Sequence, residues 1–125
     1  MPEIERVPFK HVRKLWGEEH WYVNEKEYCM KRLILRRGFS SSLHYHKVKK
    51  ETFIIEKGEC YLEIHSARKK HEHLMKWGDS IVLLPGQAHR FWIPNDSSHP
   101  SCVIIEVSMH HVDEDCERLA ESRVL

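Results

Sequence analysis

An all-β fold, closed as a barrel or as a two-sheet jelly roll, is predicted by three observations. Short apolar or alternating runs fill the middle of the chain. Glycine, proline and polar turns separate them at short intervals, and only the tail reads as anything but strand. Some eight or nine strands in 125 residues leave room for one modest core, and closing a sheet on itself removes its edges.

Taken in order, Tyr28 to Leu35 is the first clear strand, ended by Arg37-Gly38. Ser42 to His46 and Glu51 to Glu56 follow, the latter closed by Lys57-Gly58. Glu59 to His65 alternates, with Cys60, Leu62 and Ile64 on one face and Tyr61, Glu63 and His65 on the other. Ser66 to Lys70 is basic and polar and reads as an exposed loop, His71 to Met75 as a returning strand, Trp77-Gly78-Asp79 as a turn. Ser80 to Leu84 runs into Pro85-Gly86, His89 to Ile93 resumes, and Pro94 to Ser101 is a polar loop. Cys102 to Ser108 is almost wholly apolar, as a strand buried on both faces requires. The tail reads as helical or irregular, with Asp113 or Asp115 available to cap a final helix. The expectation is one domain over 1–125, its barrel core about 28–108. The segments 1–27 and 109–125 would pack on it, with Trp16, Trp21 and Tyr22 capping the barrel or meeting a partner.

Charge excludes some partners. Lys plus Arg total 20 against 19 acidic residues, so no field favours nucleic acid or an anionic membrane. No apolar run approaches the roughly 18 residues of a spanning helix. The first ten residues carry Glu3 and Glu5 and no apolar block, unlike a secretory leader. Cys29, Cys60, Cys102 and Cys116 lie far apart without a Cys-x-x-Cys pair and read as reduced thiols of a cytoplasmic protein, a disulfide framework being the alternative.

The chemistry is concentrated in one constellation. Gly38 is followed after five residues by His44-Tyr45-His46, then four residues to Glu51 and six to Gly58, with His89 much later. Alternation sends His44 and His46 the same way, and a short turn lets Glu51 stand beside them on the next strand. His89 must be brought in by closure of the barrel. Imidazole suits zinc, nickel, iron or copper, and a carboxylate extends the range to manganese. One divalent ion (Zn, Mn, Ni or Fe) on His44, His46, Glu51 and His89 is the reading. Phe53, Ile55, Phe91 and Ile93 share faces with Glu51 and His89 and would give the site apolar walls. The remaining histidines read otherwise. His71-Glu72-His73 follows three basic residues and lacks the glycine frame, so it reads as a solvated face; His99, His110 and His111 read as surface, and His65 stays open.

These residues resemble the cupin superfamily. Gly38 to Gly58 fits the first cupin motif throughout. The second is met by Gly78, Pro85-Gly86, His89 and Asn95, except that proline directly precedes glycine. The resemblance implies a double-stranded β-helix barrel and carries the ligand roles onto His44, His46, Glu51 and His89. A narrower likeness is to the cupin domain of type II mannose-6-phosphate isomerases. It rests on Lys14-Leu15-Trp16-Gly17, Trp21-Tyr22, Met30-Lys31-Arg32-Leu33, Ser42 to His46, Pro85 to Arg90, Ile105-Glu106-Val107 and the acidic-basic tail. The tail departs in being shorter and in lacking an aromatic-glycine pair.

The likeness implies a metal-dependent isomerase or epimerase acting on a small molecule, a sugar or sugar phosphate, in a homodimer. Glu106 and Glu63 are the general-base candidates, with Tyr61 or His65 as proton relays. Arg118 and Arg123, with Tyr61, are the substrate-binding candidates, since a guanidinium can grip phosphate with two prongs. A non-catalytic sugar-binding cupin and an iron or nickel dioxygenase are the alternatives.

Overall fold

The computed structural model describes residues 3–125. Its strands are β1 (Lys10–Lys14), β2 (Gly17–Asn24), β3 (Cys29–Arg36), β4 (Phe39–Ser40), β5 (Leu43–His46), β6 (Glu51–Lys57) and β7 (Glu59–Ser66). They continue with β8 (Lys69–Lys76), β9 (Ser80–Leu83), β10 (Ala88–Trp92), β11 (Ser101–Ser108), β12 (Cys116–Ala120) and β13 (Arg123–Val124). One sheet runs β1-β2-β3-β11-β6-β9; the other runs β12-β5-β10-β4-β13, with β7 joined to β10 and β8 to β7. Every pairing is antiparallel. Two antiparallel sheets facing each other are the jelly roll the alternation calls for.

The core lies between the sheets. Leu35, Ile55, Leu62, Leu83, Ile93 and Ile104 are fully buried, and each such side chain contributes roughly 1.5–3 kcal/mol relative to exposure. Phe53 and Phe91 meet edge to face at 5.0 Å within the same cluster. The inward faces follow period 2: Cys29, Lys31, Leu33 and Leu35 are buried along β3, and Lys49, Glu51, Phe53 and Ile55 along the approach to and body of β6. Two lysines and a glutamate thus occupy positions where sheet geometry expects apolar residues.

Three parts differ from the sequence reading. The segment ahead of the barrel is itself sheet: β1 and β2 form a hairpin, and β2 pairs with β3 from Gly17↔Leu35 to Asn24↔Cys29. Its strands are half-polar with few alternating apolar positions, so the period was hidden. Ser66 to Lys70 is not a long loop. Ser66 pairs with Lys69, and Ala67 and Arg68 make the turn at φ 47° and 67°, the left-handed pair that suits a two-residue hairpin. In the tail one 3-10 turn, Asp113–Asp115, precedes β12, which pairs with β5, and β13, which pairs with β4. Asp115 caps no final helix; its carboxylate accepts the backbone N–H of Val48 at 2.7 Å and of Lys49 at 3.0 Å.

The glycine frame of the histidine motif has a steric cause. Gly58 sits at φ +77°, and a Cβ there would lie 2.2 Å from the Ser101 carbonyl oxygen; at Gly38, φ +87°, it would lie 2.6 Å from Asn95 Oδ1. Gly58→Ala is expected to lower stability by about 1–3 kcal/mol from backbone strain, plus the cost of moving β11. A shift in the urea midpoint at unchanged slope is the check.

Candidate metal centre

β5 presents His44 and His46, β6 opens on Glu51, and β10 places His89 directly across from His44. All four line one cavity of about 720 Å³, within the size range of small-molecule sites. Glu51 lies between two imidazoles: Oε1 is 3.4 Å from His46 Nε2 and Oε2 is 3.5 Å from His89 Nε2. The His44 ring is 5.3 Å from His46 and 4.8 Å from His89, centre to centre.

Protonation suits ligation. His44 Nδ1 faces the Ser42 carbonyl oxygen at 3.1 Å, and His89 Nδ1 faces that of Gln87 at 3.0 Å. A carbonyl only accepts, so His89 carries its proton on Nδ1 and keeps a lone pair on Nε2, the tautomer of a metal-bound imidazole. His44 has the same tautomer when Nδ1 donates to the Ser42 carbonyl, with the Ser42 hydroxyl also 2.9 Å from Nδ1. Burial, reinforced for His46 by the Lys49 charge and for His89 by His44, holds both of these rings at a pKa of about 3, so they are neutral at ordinary pH. His46 Nδ1 is buried without a hydrogen-bond partner, while Asp115 Oδ2 stands 3.5 Å away. Three neutral imidazoles and a carboxylate, arranged without satisfying one another, fit a divalent ion.

The sequence reading missed the groups beside these four. Lys49 reaches in from the turn between β5 and β6, its Nζ 3.1 Å from Glu51 Oε1 and 3.1 Å from Glu106 Oε2. His111, read as surface, lines the cavity with Nδ1 2.9 Å from Lys49 Nζ. Cys116 on β12 stands across from His46, and one donor atom each from His44, His46 and Cys116 lies within 4.8 Å of the others. Lys31 is buried with its ammonium 3.8 Å above the Trp21 ring. Alternation alone could have found Lys31 and Lys49, because each falls on the inward face of its run.

The candidate residues divide. Glu106 lines the cavity. Burial raises its carboxyl, but the charges of Lys49 and Lys31 with the Ser108 hydroxyl, which donates at 2.8 Å, outweigh this and hold it at about 2. Arg118 also lines the cavity, opposite His44 in the strand register, with Nη1 3.2 Å from Glu121. Glu63, Tyr61, His65 and Arg123 are not among the lining residues. Glu63 points to the other face of β7, held by Arg90 at 3.0 Å and His65 at 2.6 Å, and Tyr61 stacks on Trp92. The alternation that sends Cys60 and Leu62 into the core forces these three outward. His71, Glu72 and His73 are exposed, as a solvated face requires.

Residues 31–108 match the family model described as Cupin domain. The chain belongs to the cupin family. Among curated proteins this cupin is similar to the epoxidase atD of Aspergillus terreus, 31% identical over 77 residues that cover 62% of this chain and 23% of that protein. Among solved structures it resembles CapF bound to the inhibitor 3-isopropenyl-tropolone, with a TM-score of 0.77 and 15% identity over 90% of this chain and 35% of that one. It also resembles oxalate decarboxylase from Bacillus subtilis, at 0.76 and 14% over 89% and 30%; Mn(II) centres are described for that enzyme. The cupin spans about a third or less of each relative's length, and identities this low in the solved structures establish the shared fold. Among the described residues no helix is long and apolar enough to cross a membrane.

One consequence concerns metal uptake. Burial, then the nearby Glu106 charge, pushes the Glu51 carboxyl up to about 7 against the opposing pull of Lys49. A proton therefore competes with a cation for this carboxylate. Affinity of the metal-free protein for zinc is expected to weaken as pH falls through about 7 and to level off above it. Chelator competition at a series of pH values is the check.

Proposed function

We propose that this cupin is a metal-dependent isomerase or epimerase of a sugar or sugar phosphate. The single observation that supports this best is the Glu106–Lys49 pair, a carboxylate and an ammonium 3.1 Å apart, sharing Lys49 with the metal-type carboxylate Glu51 inside one cavity. Moving hydrogen between adjacent carbons needs a base for carbon, an acid for oxygen and something to polarise the carbonyl; here these stand side by side.

His44, His46, Glu51 and His89 would hold the ion, which when bound would polarise the substrate carbonyl as a Lewis acid. Glu106, kept ionised, takes the proton from the carbon next to the carbonyl. Lys49 donates a proton to the carbonyl oxygen and recovers one from the neighbouring hydroxyl as the proton on Glu106 returns to carbon. Phe53, Phe91 and Ile104 exclude water from this end of the cavity, which strengthens each charge contact. Arg118 at the rim would meet a phosphate or a distal hydroxyl. The motif likeness to type II mannose-6-phosphate isomerases supports the same reading, and cytoplasmic location and a homodimer accompany it as proposals.

The test is incubation of manganese- or zinc-loaded protein in D2O with a panel of aldoses and ketoses, free and phosphorylated. Interconversion with deuterium at the carbon beside the carbonyl is the expected result. Ligand-induced thermal stabilisation with neither interconversion nor exchange would replace this reading with the sugar-binding one.

A further inference from the structure

We propose that His11, Glu18 and His20 form a second divalent metal site on the β1–β2 hairpin, separate from the barrel cavity. The register puts His11 directly opposite His20, and Glu18 lies two residues before His20 on the same strand face. The three side chains therefore converge. His11 Nε2 contacts Glu18 Oε2, His20 Nε2 is 3.6 Å from Glu18 Oε1, and one donor atom from each residue lies within 4.8 Å of the other two. None of the three lines the barrel cavity.

The surroundings make more of a site than a chance surface triplet would. His20 is only 20% exposed at its side chain. Phe9 packs on it edge to face at 5.5 Å and Tyr22 at 6.5 Å, so the ring is held in place. The His11 and His20 rings stand 5.1 Å apart at 83°, leaving room between their nitrogens. The Glu18 carboxyl is drawn below its usual range, first by the hydrogen bond from His11. In the metal-free chain an imidazole N–H of His11 donates to this carboxylate; a divalent cation would stand between the two in place of that hydrogen.

Two imidazoles and one carboxylate on one side of an ion leave the other positions to water. That donor set favours zinc, nickel or copper over calcium or magnesium, which demand more oxygens. The location gives the ion a consequence. Among the described residues β1 pairs only with β2, and the opposite face of this hairpin carries Glu19 and Trp21 into the cavity wall. Cross-linking β1 to β2 steadies the wall against which substrate would lie.

The experiment uses the full chain stripped with chelator and dialysed against zinc buffered across the micromolar range, with bound metal counted by elemental analysis. Two ions per chain are expected. The His11→Gln/His20→Gln variant should retain one, and the His44→Ala/His46→Ala variant should retain the one on the hairpin. Circular dichroism confirms folding, and Glu18→Gln, which keeps both imidazoles, should weaken the second ion at least about tenfold. Hydrogen exchange supplies a readout independent of stoichiometry: zinc should slow exchange in residues 10–24 of the His44→Ala/His46→Ala variant. The proposal is overturned if the hairpin variant binds as much zinc as wild type, or if zinc leaves exchange in that segment unchanged. Failure of the barrel site would instead appear as one ion in wild type and the same one ion in the His44→Ala/His46→Ala variant, with none in the hairpin variant.

Discussion

Replacing Glu106 by glutamine is expected to lower kcat for sugar interconversion by roughly 10²–10⁴-fold, the range for loss of a general base, while metal content stays at the wild-type level. Glutamine keeps the size of the side chain and can still accept from Lys49 through its amide oxygen, so the cavity should hold its shape. It cannot accept a proton from carbon. Solvent deuterium exchange into substrate should fall with kcat, because both depend on the same transfer. Glu63→Gln is the matched control. Glu63 is just as buried, but its partners are Arg90 and His65 on the outer face of β7, so any change should appear in stability and not in the ratio of exchange to turnover. Equal losses in the two variants would remove Glu106 from the proposed role.

The contrast between these two glutamates shows what could be read from the chain. The convergence of His44, His46 and Glu51 was legible, because the glycine frame fixes where the hairpin starts and ends and period 2 then fixes which side chains share a face. His89 was legible only through the second motif of the family resemblance, and the β10–β5 pairing brings it across from His44. The same rule, applied strictly to β7, would have removed Glu63 and Tyr61 from the site. Lys49 was hidden by its neighbours. In Lys47-Val48-Lys49-Lys50 the hydropathy pattern is that of a solvated turn, and only extending the β6 alternation two residues upstream distinguishes the buried lysine. His111 and Cys116 could not have been placed at all. Cys116 enters the site because the tail returns as β12 beside β5, and His111 because its backbone N–H donates to Asn24 Oδ1 while Asn24 Nδ2 donates to its carbonyl; neither contact leaves a local periodic signal. The N-terminal hairpin escaped for the opposite reason: most of its side chains are half-exposed, so burial never imposed a pattern on them.

Lys49→Met should be the most damaging single substitution for folding of the metal-free chain, at roughly 3–5 kcal/mol. The ammonium is 2% exposed and sits between two carboxylates that are themselves almost wholly buried. Burial favours a neutral amine at Lys49, yet the charges of Glu106 and Glu51 overcome it and raise the pKa. Methionine fills the same volume, so packing is nearly preserved and the loss isolates the charge. What remains is a pair of buried carboxylates with no cation between them. For a domain of this size the melting temperature should drop by about 10–20 °C. The double variant Lys49→Met/Glu106→Gln should recover much of that, since it removes the repulsion along with the partner, and a non-additive cycle measures the coupling. The sign with pH is fixed too. A carboxyl whose folded pKa rises above its unfolded value is penalised above that folded pKa and released below it, so the deficit relative to wild type should shrink as pH is lowered. Zinc should also reduce it, by supplying at Glu51 the positive charge that Lys49 supplied. A variant as stable as wild type, with the deficit absent at every pH, would mean that Lys49 is no electrostatic keystone and that the proton-transfer pair proposed above lacks its physical basis.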